Sequence, residues 1–169
     1  MTKPFRILFV CTGNTCRSPM AEALARAALA ERLPGAALDV RSAGTLALPG
    51  GPAAREARDV AAGHGLDLDG HRASPLTPEL LRRARLVPCM TESHRRVAAG
   101  LGAGERAVLL CDYLPPDDPL HGRDVPDPMG GGREEYEEAY ATLERAVGGL
   151  VDALASDAED GEGAEEGEA

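Results

Sequence analysis

Two cysteines and an arginine lie close together near the start of the chain, in "CTGNTCRS" (residues 11–18). Cys11 and Arg17 are separated by five residues, and the stretch leads into a helix-like pattern. A guanidinium presents a planar fork of donors that suits two oxygens of a phosphate group. The same donors stabilise a nearby thiolate, which is the nucleophilic form of cysteine. The stretch therefore predicts a site where Cys11 attacks a phosphoryl group that Arg17 holds.

The residues between Cys11 and Arg17 suit a loop that folds around an anion. Gly13 permits backbone conformations that other residues avoid, and Asn14 tolerates the left-handed region. Such a loop turns successive N–H groups toward one centre, beside the positive end of the next helix. Ser18 then either donates a hydrogen bond to the Cys11 thiolate or caps the helix. The residues expected to bind the substrate are Thr12, Gly13, Asn14, Thr15, Cys16 and Ser18.

Other ligand classes fit this loop poorly. A Walker nucleotide loop needs a Gly-Lys-Ser/Thr sequence, and Lys3 is the only lysine of the chain. The dinucleotide pattern G-x-G-x-x-G is absent from the stretch. Cys11 and Cys16 form a C-x4-C pair, with no second Cys/His pair placed to complete a zinc site. We expect neither a metal nor another cofactor.

Strand-like and helix-like segments alternate along the chain. The strand-like runs are residues 5–10, 38–44, 85–90 and 105–110, and the helix-like runs are residues 18–33, 51–65, 77–84, 91–101 and 133–154. This alternation predicts an α/β fold, a three-layer domain whose central four-stranded parallel sheet is flanked by helices. The phosphate loop follows the first strand, at the edge of the sheet where such folds bind ligands.

Composition sets limits on the organisation and the partners of the protein. The 169 residues are 43% hydrophobic, which fits one domain over residues 1–156. Residues 157–169 contain seven acids and no base, so they supply seven of the ten net negative charges. We expect this tail to be disordered. The body lacks the excess of basic residues that nucleic-acid binding requires.

The chain also has no apolar run typical of a signal peptide or a membrane span. We therefore expect a cytoplasmic protein with no membrane partner, present as a monomer or a weak dimer. Lysine is rare among the 18 basic residues, which is typical of GC-rich bacterial genomes.

Four segments resemble the motifs of the low-molecular-weight protein tyrosine phosphatase family, in the same order. "VCTGNTCRSPMAEAL" (residues 10–24) resembles the phosphate loop, and "RSAGT" (41–45), "GHRASPL" (70–76) and "VPDPMGGG" (125–132) resemble three later segments. The resemblance covers most of residues 5–150. It implies that Ser42 supports Asn14, that His71 braces both of these residues, and that Asp127 is the general acid. Pro128 restrains the backbone of Asp127.

The resemblance implies a two-step reaction. Cys11 attacks phosphorus in line, Arg17 and the loop N–H groups hold the phosphoryl oxygens, and Asp127 protonates the leaving atom. A phosphocysteine forms, and the ionised Asp127 then activates the water that hydrolyses it. The resemblance implies that the substrate is a phosphorylated protein.

Two positions indicate the phosphorylated side chain. Tyrosine phosphatases of this family have an aliphatic residue where Thr15 stands and aromatic residues after the Asp-Pro, where this chain has Met129 and Gly130. The loop is more similar to the bacterial protein arginine phosphatase branch, in which the threonine favours a planar phosphoguanidinium. That branch usually has Phe at the position of Met129. Phosphoarginine is therefore the expected substrate, and phosphotyrosine is the alternative.

Two further alternatives remain. A thiol-linked arsenate reductase has a similar loop but needs two more cysteines for a disulfide relay, and Cys89 and Cys111 are twenty-two positions apart. A non-catalytic phosphate-binding module would not need a nucleophile, an arginine and an acid together. Cys16 is expected to form a protective disulfide with Cys11 when the nucleophile is oxidised.

The nucleophile assignment predicts the effect of Cys11→Ser. A serine hydroxyl is far less ionised than a thiol at neutral pH, so this variant should lose turnover of an aryl phosphate while it keeps its fold and binds phosphate. Steady-state kinetics and isothermal calorimetry with phosphate test both parts. Appreciable residual turnover would contradict the assignment.

Overall fold

The structure, a computed structural model, describes residues 3–165. Its strands are β1 (Phe5–Cys11), β2 (Leu38–Gly44), β3 (Val87–Cys89) and β4 (Ala107–Leu109). Its α-helices are α1 (Arg17–Arg32), α2 (Arg55–Gly63), α3 (Pro78–Arg83), α4 (Glu92–Ala98) and α5 (Arg133–Glu165). A π-helical turn at Ala99–Ala103 and 3-10 turns at Gly104–Arg106 and Leu110–Tyr113 flank β4.

The four strands form one parallel sheet in the order β2-β1-β3-β4. β1 pairs with β2 from Phe5 opposite Leu38 to Cys11 opposite Gly44, and it pairs with β3 on its other side. The strand that ends at Cys11 is therefore central. The predicted α/β fold with a four-stranded parallel sheet is confirmed.

Helices cover both faces of the sheet, so β1 is buried on both sides. Ile7 and Phe9 face a core that includes residues of α1, α2 and α5, whereas Leu8 and Val10 face a second core with residues of α3. All four side chains are inaccessible to solvent. Burial on both faces explains why β1 reads as a continuous hydrophobic run rather than an alternating one.

Threonine side chains start two of the short helices. Thr77 Oγ1 accepts a hydrogen bond from the backbone N–H of Leu80 at 3.2 Å, and Pro78 occupies the first turn of α3, a Thr-Pro pattern typical of a helix start. Thr91 Oγ1 accepts from the N–H of His94 at 3.2 Å at the start of α4. α4 follows directly on β3, so its first turn lies beside the end of β1.

The acidic tail differs from the prediction. The sequence predicts disorder from residue 157, whereas α5 continues to Glu165, with residues 157–163 exposed. A helix that is already formed adds one hydrogen bond for each further residue, and alanine and glutamate are strong helix formers. Residues 166–169 of the predicted tail lie outside the described residues. In the part of the chain that the structure describes, no helix combines the length and apolarity that a membrane crossing needs.

Two adjacent glycines of α5 predict opposite effects on stability. A Cβ at Gly149 would lie 1.9 Å from the carbonyl oxygen of Tyr113, whereas a Cβ at Gly148 meets no atom within 4 Å. Gly149→Ala should lower the free energy of unfolding by about 1–3 kcal/mol. Gly148→Ala, the matched control, should raise it by up to about 1 kcal/mol because alanine favours the helix. Urea denaturation measures both, and equal effects would contradict the close packing at Gly149.

Candidate active site

The predicted nucleophile lies at the carboxyl end of the central strand. Cys11 is the last residue of β1 and is 3% exposed. The loop of residues 12–16, which contains Gly13, connects it to α1, and α1 begins at Arg17. The carboxyl ends of parallel strands are where folds of this kind bind ligands.

Ser18 contacts the Cys11 thiol rather than capping α1. The two atoms, Ser18 Oγ and Cys11 Sγ, are 2.9 Å apart. The Asn14 amide nitrogen donates to the same Ser18 oxygen at 2.8 Å, which leaves the single hydroxyl proton for Cys11. The cap residue of α1 is Cys16, and it makes no side-chain cap. Of the two roles that the sequence left open for Ser18, the geometry favours donation to the Cys11 sulfur.

Asn14 is the centre of the hydrogen bonds that hold the loop. Its φ of 55° lies in the left-handed region, and its side chain is inaccessible to solvent. Besides Ser18, the amide nitrogen donates to Ser42 Oγ at 3.0 Å, and the amide oxygen accepts from the N–H of Ser74 at 2.9 Å. His71 Nε2 lies 2.7 Å from the Asn14 carbonyl oxygen. A carbonyl only accepts, so Nε2 is the protonated nitrogen of that contact.

The structure thus brings Ser42 and His71 to Asn14, although His71 contacts the Asn14 backbone and no hydrogen bond joins it to Ser42 among the described residues. Ser74 was missed. Its contribution is a backbone N–H, which any residue but proline offers, so the side-chain type gave no signal.

A surface cavity of about 740 Å³ lies beside residues that support the loop, and no residue of the loop itself lines it. Ser42, His71 and Ser74 line it, together with Glu22, whose carboxylate is 4.0 Å from His71 Nδ1. Burial raises the pKa of Glu22. The cavity thus reaches residues that support Asn14, whereas neither Cys11 nor Arg17 lines it.

Arg17 joins the loop to the Asp-Pro segment. Arg17 Nη1 donates to the Val125 carbonyl at 3.0 Å, and Nη2 lies 3.5 Å from Asp127 Oδ2. The Arg17 side chain is 5% exposed and that of Asp127 is 51% exposed. The other carboxylate oxygen of Asp127 accepts from the N–H of Met129 at 3.0 Å. A half-exposed carboxyl is thus held beside the buried guanidinium.

Thr15 and Cys16 lie on the α5 side of the loop. Thr15 Oγ1 is 3.6 Å from Cys16 Sγ, which lies 3.3 Å from the Tyr136 hydroxyl. Burial raises the pKa of the Cys16 thiol and that of Tyr136. Cys16 therefore stays a neutral thiol, and its disulfide with Cys11 remains a prediction.

His94 is a second residue that the sequence reading missed. Its Nε2 lies 2.8 Å from Thr12 Oγ1, and the residue is 5% exposed. Burial lowers the pKa of His94 to about 4, and the positive charge of Arg17 acts in the same direction. The signal available was the position of His94 just after β3, at the same edge of the sheet as Cys11.

No group of three His, Cys, Asp or Glu side chains within residues 3–165 is arranged to hold a metal ion. Four functional groups lie near the end of β1. They are the Cys11 thiol, the Ser18 hydroxyl, the Arg17 guanidinium and the Asp127 carboxyl group. With the parallel sheet, they define the class of α/β proteins that bind a phosphoryl group in a cysteine-arginine loop.

Comparison with known proteins identifies the family. Residues 6–160 match the profile of the low molecular weight phosphotyrosine protein phosphatase family. The chain is 40% identical over 153 residues to a protein-arginine-phosphatase of Bacillus subtilis, covering 89% of this chain and 97% of the relative. It is 39% identical over 153 residues to low molecular weight protein-tyrosine phosphatase A of Mycobacterium tuberculosis, covering 90% and 93%. The chain belongs to this family, as its four motifs predict.

One solved structure of a relative contains a phosphorylated active-site residue. The chain superposes with a TM-score of 0.76 on a cysteine-to-serine mutant of the arginine phosphatase YwlE, at 39% identity, covering 89% of this chain and 95% of that one. In that mutant the active-site serine is phosphorylated. The mutant thus carries a covalent bond between phosphorus and its active-site serine.

The lowered pKa of His94 predicts a loss of stability in acid. Between the unfolded pKa near 6.5 and the folded pKa of about 4, the unfolded chain binds a proton that the folded protein excludes. Stability should therefore fall as the pH decreases through this window. His94→Gln should reduce that fall by about 2–3 kcal/mol between pH 7 and pH 4. Urea denaturation at several pH values measures the difference, and parallel curves for the two proteins would contradict the burial of a neutral ring.

Proposed function

We propose that this protein is a cysteine-dependent phosphoprotein phosphatase that hydrolyses protein phosphoarginine through a phosphocysteine intermediate. The observation that carries the proposal is the hydrogen bond between Ser18 and Cys11, whose direction is fixed by Asn14. It supplies a donor to a buried thiolate at the start of a helix, beside Arg17.

Cys11 is the proposed nucleophile. It attacks phosphorus, the bond from phosphorus to the leaving atom breaks, and the phosphoryl group is transferred to Sγ. Arg17 and the backbone N–H groups of the loop from Thr12 to Ser18 hold the phosphoryl oxygens, where charge develops in the transition state. The phosphorylated serine in the YwlE mutant supports a covalent intermediate at the equivalent point of the reaction.

Asp127 is the proposed proton donor. Its carboxyl group is half-exposed and lies 3.5 Å from Arg17, so a phosphoryl group that binds to Arg17 comes within reach of it. Asp127 protonates the leaving nitrogen or oxygen in the first step. In the second step the ionised carboxylate accepts a proton from the water that attacks the phosphocysteine, which releases phosphate and restores the thiolate.

The other residues in and around the loop hold its backbone in the shape that surrounds the phosphoryl group. Asn14 holds the left-handed turn, Ser42 and His71 support Asn14, and Cys16 packs against Tyr136. All of these contacts are within the protein, and none of them requires the side chain to touch the substrate. We assign them positioning roles.

Thr15 and the Asp-Pro segment favour phosphoarginine over phosphotyrosine. Met129, the first residue after Asp127-Pro128, is 60% exposed, and Gly130 follows it. Neither residue supplies the aromatic wall against which a phenyl ring would stack. A phosphoguanidinium instead gains from polar neighbours, and the Thr15 hydroxyl and the Asp127 carboxyl group supply them. The identities to the arginine and tyrosine phosphatases differ too little to decide between these substrates.

Phosphotyrosine remains the second candidate because of the relative in Mycobacterium tuberculosis. Arsenate reduction is disfavoured by the other cysteines. Cys89 and Cys111 are inaccessible to solvent, and burial raises the pKa of Cys89 to about 12 and that of Cys111 to about 11. Neither thiol forms the thiolate that a disulfide relay requires at neutral pH. For the whole protein we propose a cytoplasmic monomer or weak dimer.

The decisive experiment compares two peptides of the same sequence, one with phosphoarginine and one with phosphotyrosine, as substrates of the purified protein. We expect a higher kcat/KM for phosphoarginine. A clear preference for phosphotyrosine would reject the proposed substrate, and no turnover of either peptide would reject the proposed phosphatase activity.

The Thr15→Ile variant tests the basis of the preference. Isoleucine keeps the β-branch but removes the hydroxyl, so phosphoarginine hydrolysis should fall about tenfold or more while phosphotyrosine hydrolysis does not fall in parallel. Thr15→Ser is the matched control, because it keeps the hydroxyl. Equal losses for both substrates in Thr15→Ile would mean that Thr15 serves only the loop backbone.

A further inference from the structure

Thr12 and His94 form a hydrogen-bonded pair that the proposed reaction does not use. His94 Nε2 lies 2.8 Å from Thr12 Oγ1, although the two residues are 82 positions apart. Thr12 is the residue after the nucleophile and is partly exposed, whereas His94 is 5% exposed. The pair therefore joins a buried ring to a side chain at the edge of the phosphate loop.

The other ring nitrogen indicates which partner donates. His94 Nδ1 is buried and has no hydrogen-bond partner among the described residues. A buried N–H without an acceptor is rarer than a buried acceptor without a donor. The favoured tautomer therefore has a bare Nδ1 and a protonated Nε2. In this tautomer His94 donates to Thr12 Oγ1, and the Thr12 hydroxyl keeps its own proton.

Burial, together with the positive charge of Arg17, keeps the His94 ring neutral. Arg17 is close enough to oppose a second positive charge, and Asp124 and Asp127 act in the opposite direction. Burial and Arg17 prevail, so the pKa lies at about 4. A neutral ring holds one fixed donor toward Thr12 across the physiological pH range.

A hydroxyl in this arrangement has a defined remaining capacity. It has two lone pairs and one proton, and one lone pair accepts from His94. The second lone pair can accept an N–H group, and the proton can be donated to an anionic oxygen. A phosphoguanidinium offers both kinds of partner, whereas phosphotyrosine offers anionic oxygens but no N–H group next to phosphorus.

We propose that His94 is a positioning residue that orients Thr12, and that the oriented Thr12 hydroxyl is a second specificity-determining group, which selects a substrate with N–H groups next to phosphorus. This inference rests on the proposed function. It adds the Thr12 hydroxyl to the Thr15 hydroxyl as a second polar group that favours phosphoarginine. The two groups lie on different sides of the loop, because Thr15 contacts Cys16 near α5 and Thr12 contacts α4.

The test uses two matched pairs of variants. Thr12→Val removes the hydroxyl but keeps the shape, and Thr12→Ser keeps the hydroxyl. His94→Leu removes the donor, and His94→Gln keeps an N–H close to the position of Nε2. For each protein, kcat/KM is measured with the matched phosphoarginine and phosphotyrosine peptides, and thermal unfolding establishes the temperature at which all of them are folded.

Thr12→Val and His94→Leu should each lower the ratio of phosphoarginine to phosphotyrosine hydrolysis about tenfold, while Thr12→Ser and His94→Gln retain most of it. The double variant Thr12→Val/His94→Leu should be little worse than Thr12→Val alone, because the two residues act as one unit. A purely structural role would lower both activities together and leave the ratio unchanged, and that result would overturn the inference. Additive losses in the double variant would overturn it as well.

The tautomer has its own measurement, which needs no substrate. The nitrogen chemical shifts of His94 in a histidine-labelled sample should identify a neutral ring protonated at Nε2 at pH 7, and Nδ1 protonation would overturn the inference. The substrate preference of the wild-type protein tests the proposed function. The ratios of phosphoarginine to phosphotyrosine hydrolysis in the variants, and the His94 tautomer, test the role of His94. The two failures are thus distinguishable.

Discussion

The left-handed backbone of Asn14 is the constraint on which the rest of the site depends. A side chain in this region costs about 1–2 kcal/mol, and the cost is offset because Asn14 bonds to Ser18, Ser42, Ser74 and His71 at once. These bonds also fix the direction of the Ser18 hydroxyl, which faces Cys11. The left-handed turn of the loop and the hydrogen bond from Ser18 to Cys11 therefore have the same origin. A glycine at this position would permit the turn but would leave Ser18 without its donor.

The parallel sheet explains why distant segments reach this turn. β1 is central, so the segments after β2 and β3 flank the loop that follows Cys11. Ser42 comes from β2, and His94 comes from the helix after β3. The Asp-Pro segment completes the ring through Arg17, which bonds to Val125 and lies beside Asp127. Segments at the ends of neighbouring strands thus form the sides of the site, and Arg17 connects the loop to the Asp-Pro segment.

The four cysteines illustrate how environment separates chemistry from packing. All four are buried and unpaired. Burial raises the pKa of Cys16, Cys89 and Cys111 and so favours their neutral thiols. The surroundings of Cys11 are different: the Ser18 hydroxyl donates to its sulfur, and the N-terminus of α1 lies close by. The reactivity assigned to Cys11 follows from these neighbours and not from exposure.

The sequence by itself determined those features that depend on residues close together along the chain. The alternating elements, the loop from Cys11 to Arg17, the Thr77 cap and the family all follow from short patterns. Tertiary structure decided the rest. The bonds of His94 to Thr12 and of Ser74 to Asn14 join residues 82 and 60 positions apart, and the choice of Ser18 as a donor to Cys11 depends on Asn14. Such bonds arise when the strands align in register, and no local pattern records which polar groups that alignment brings together.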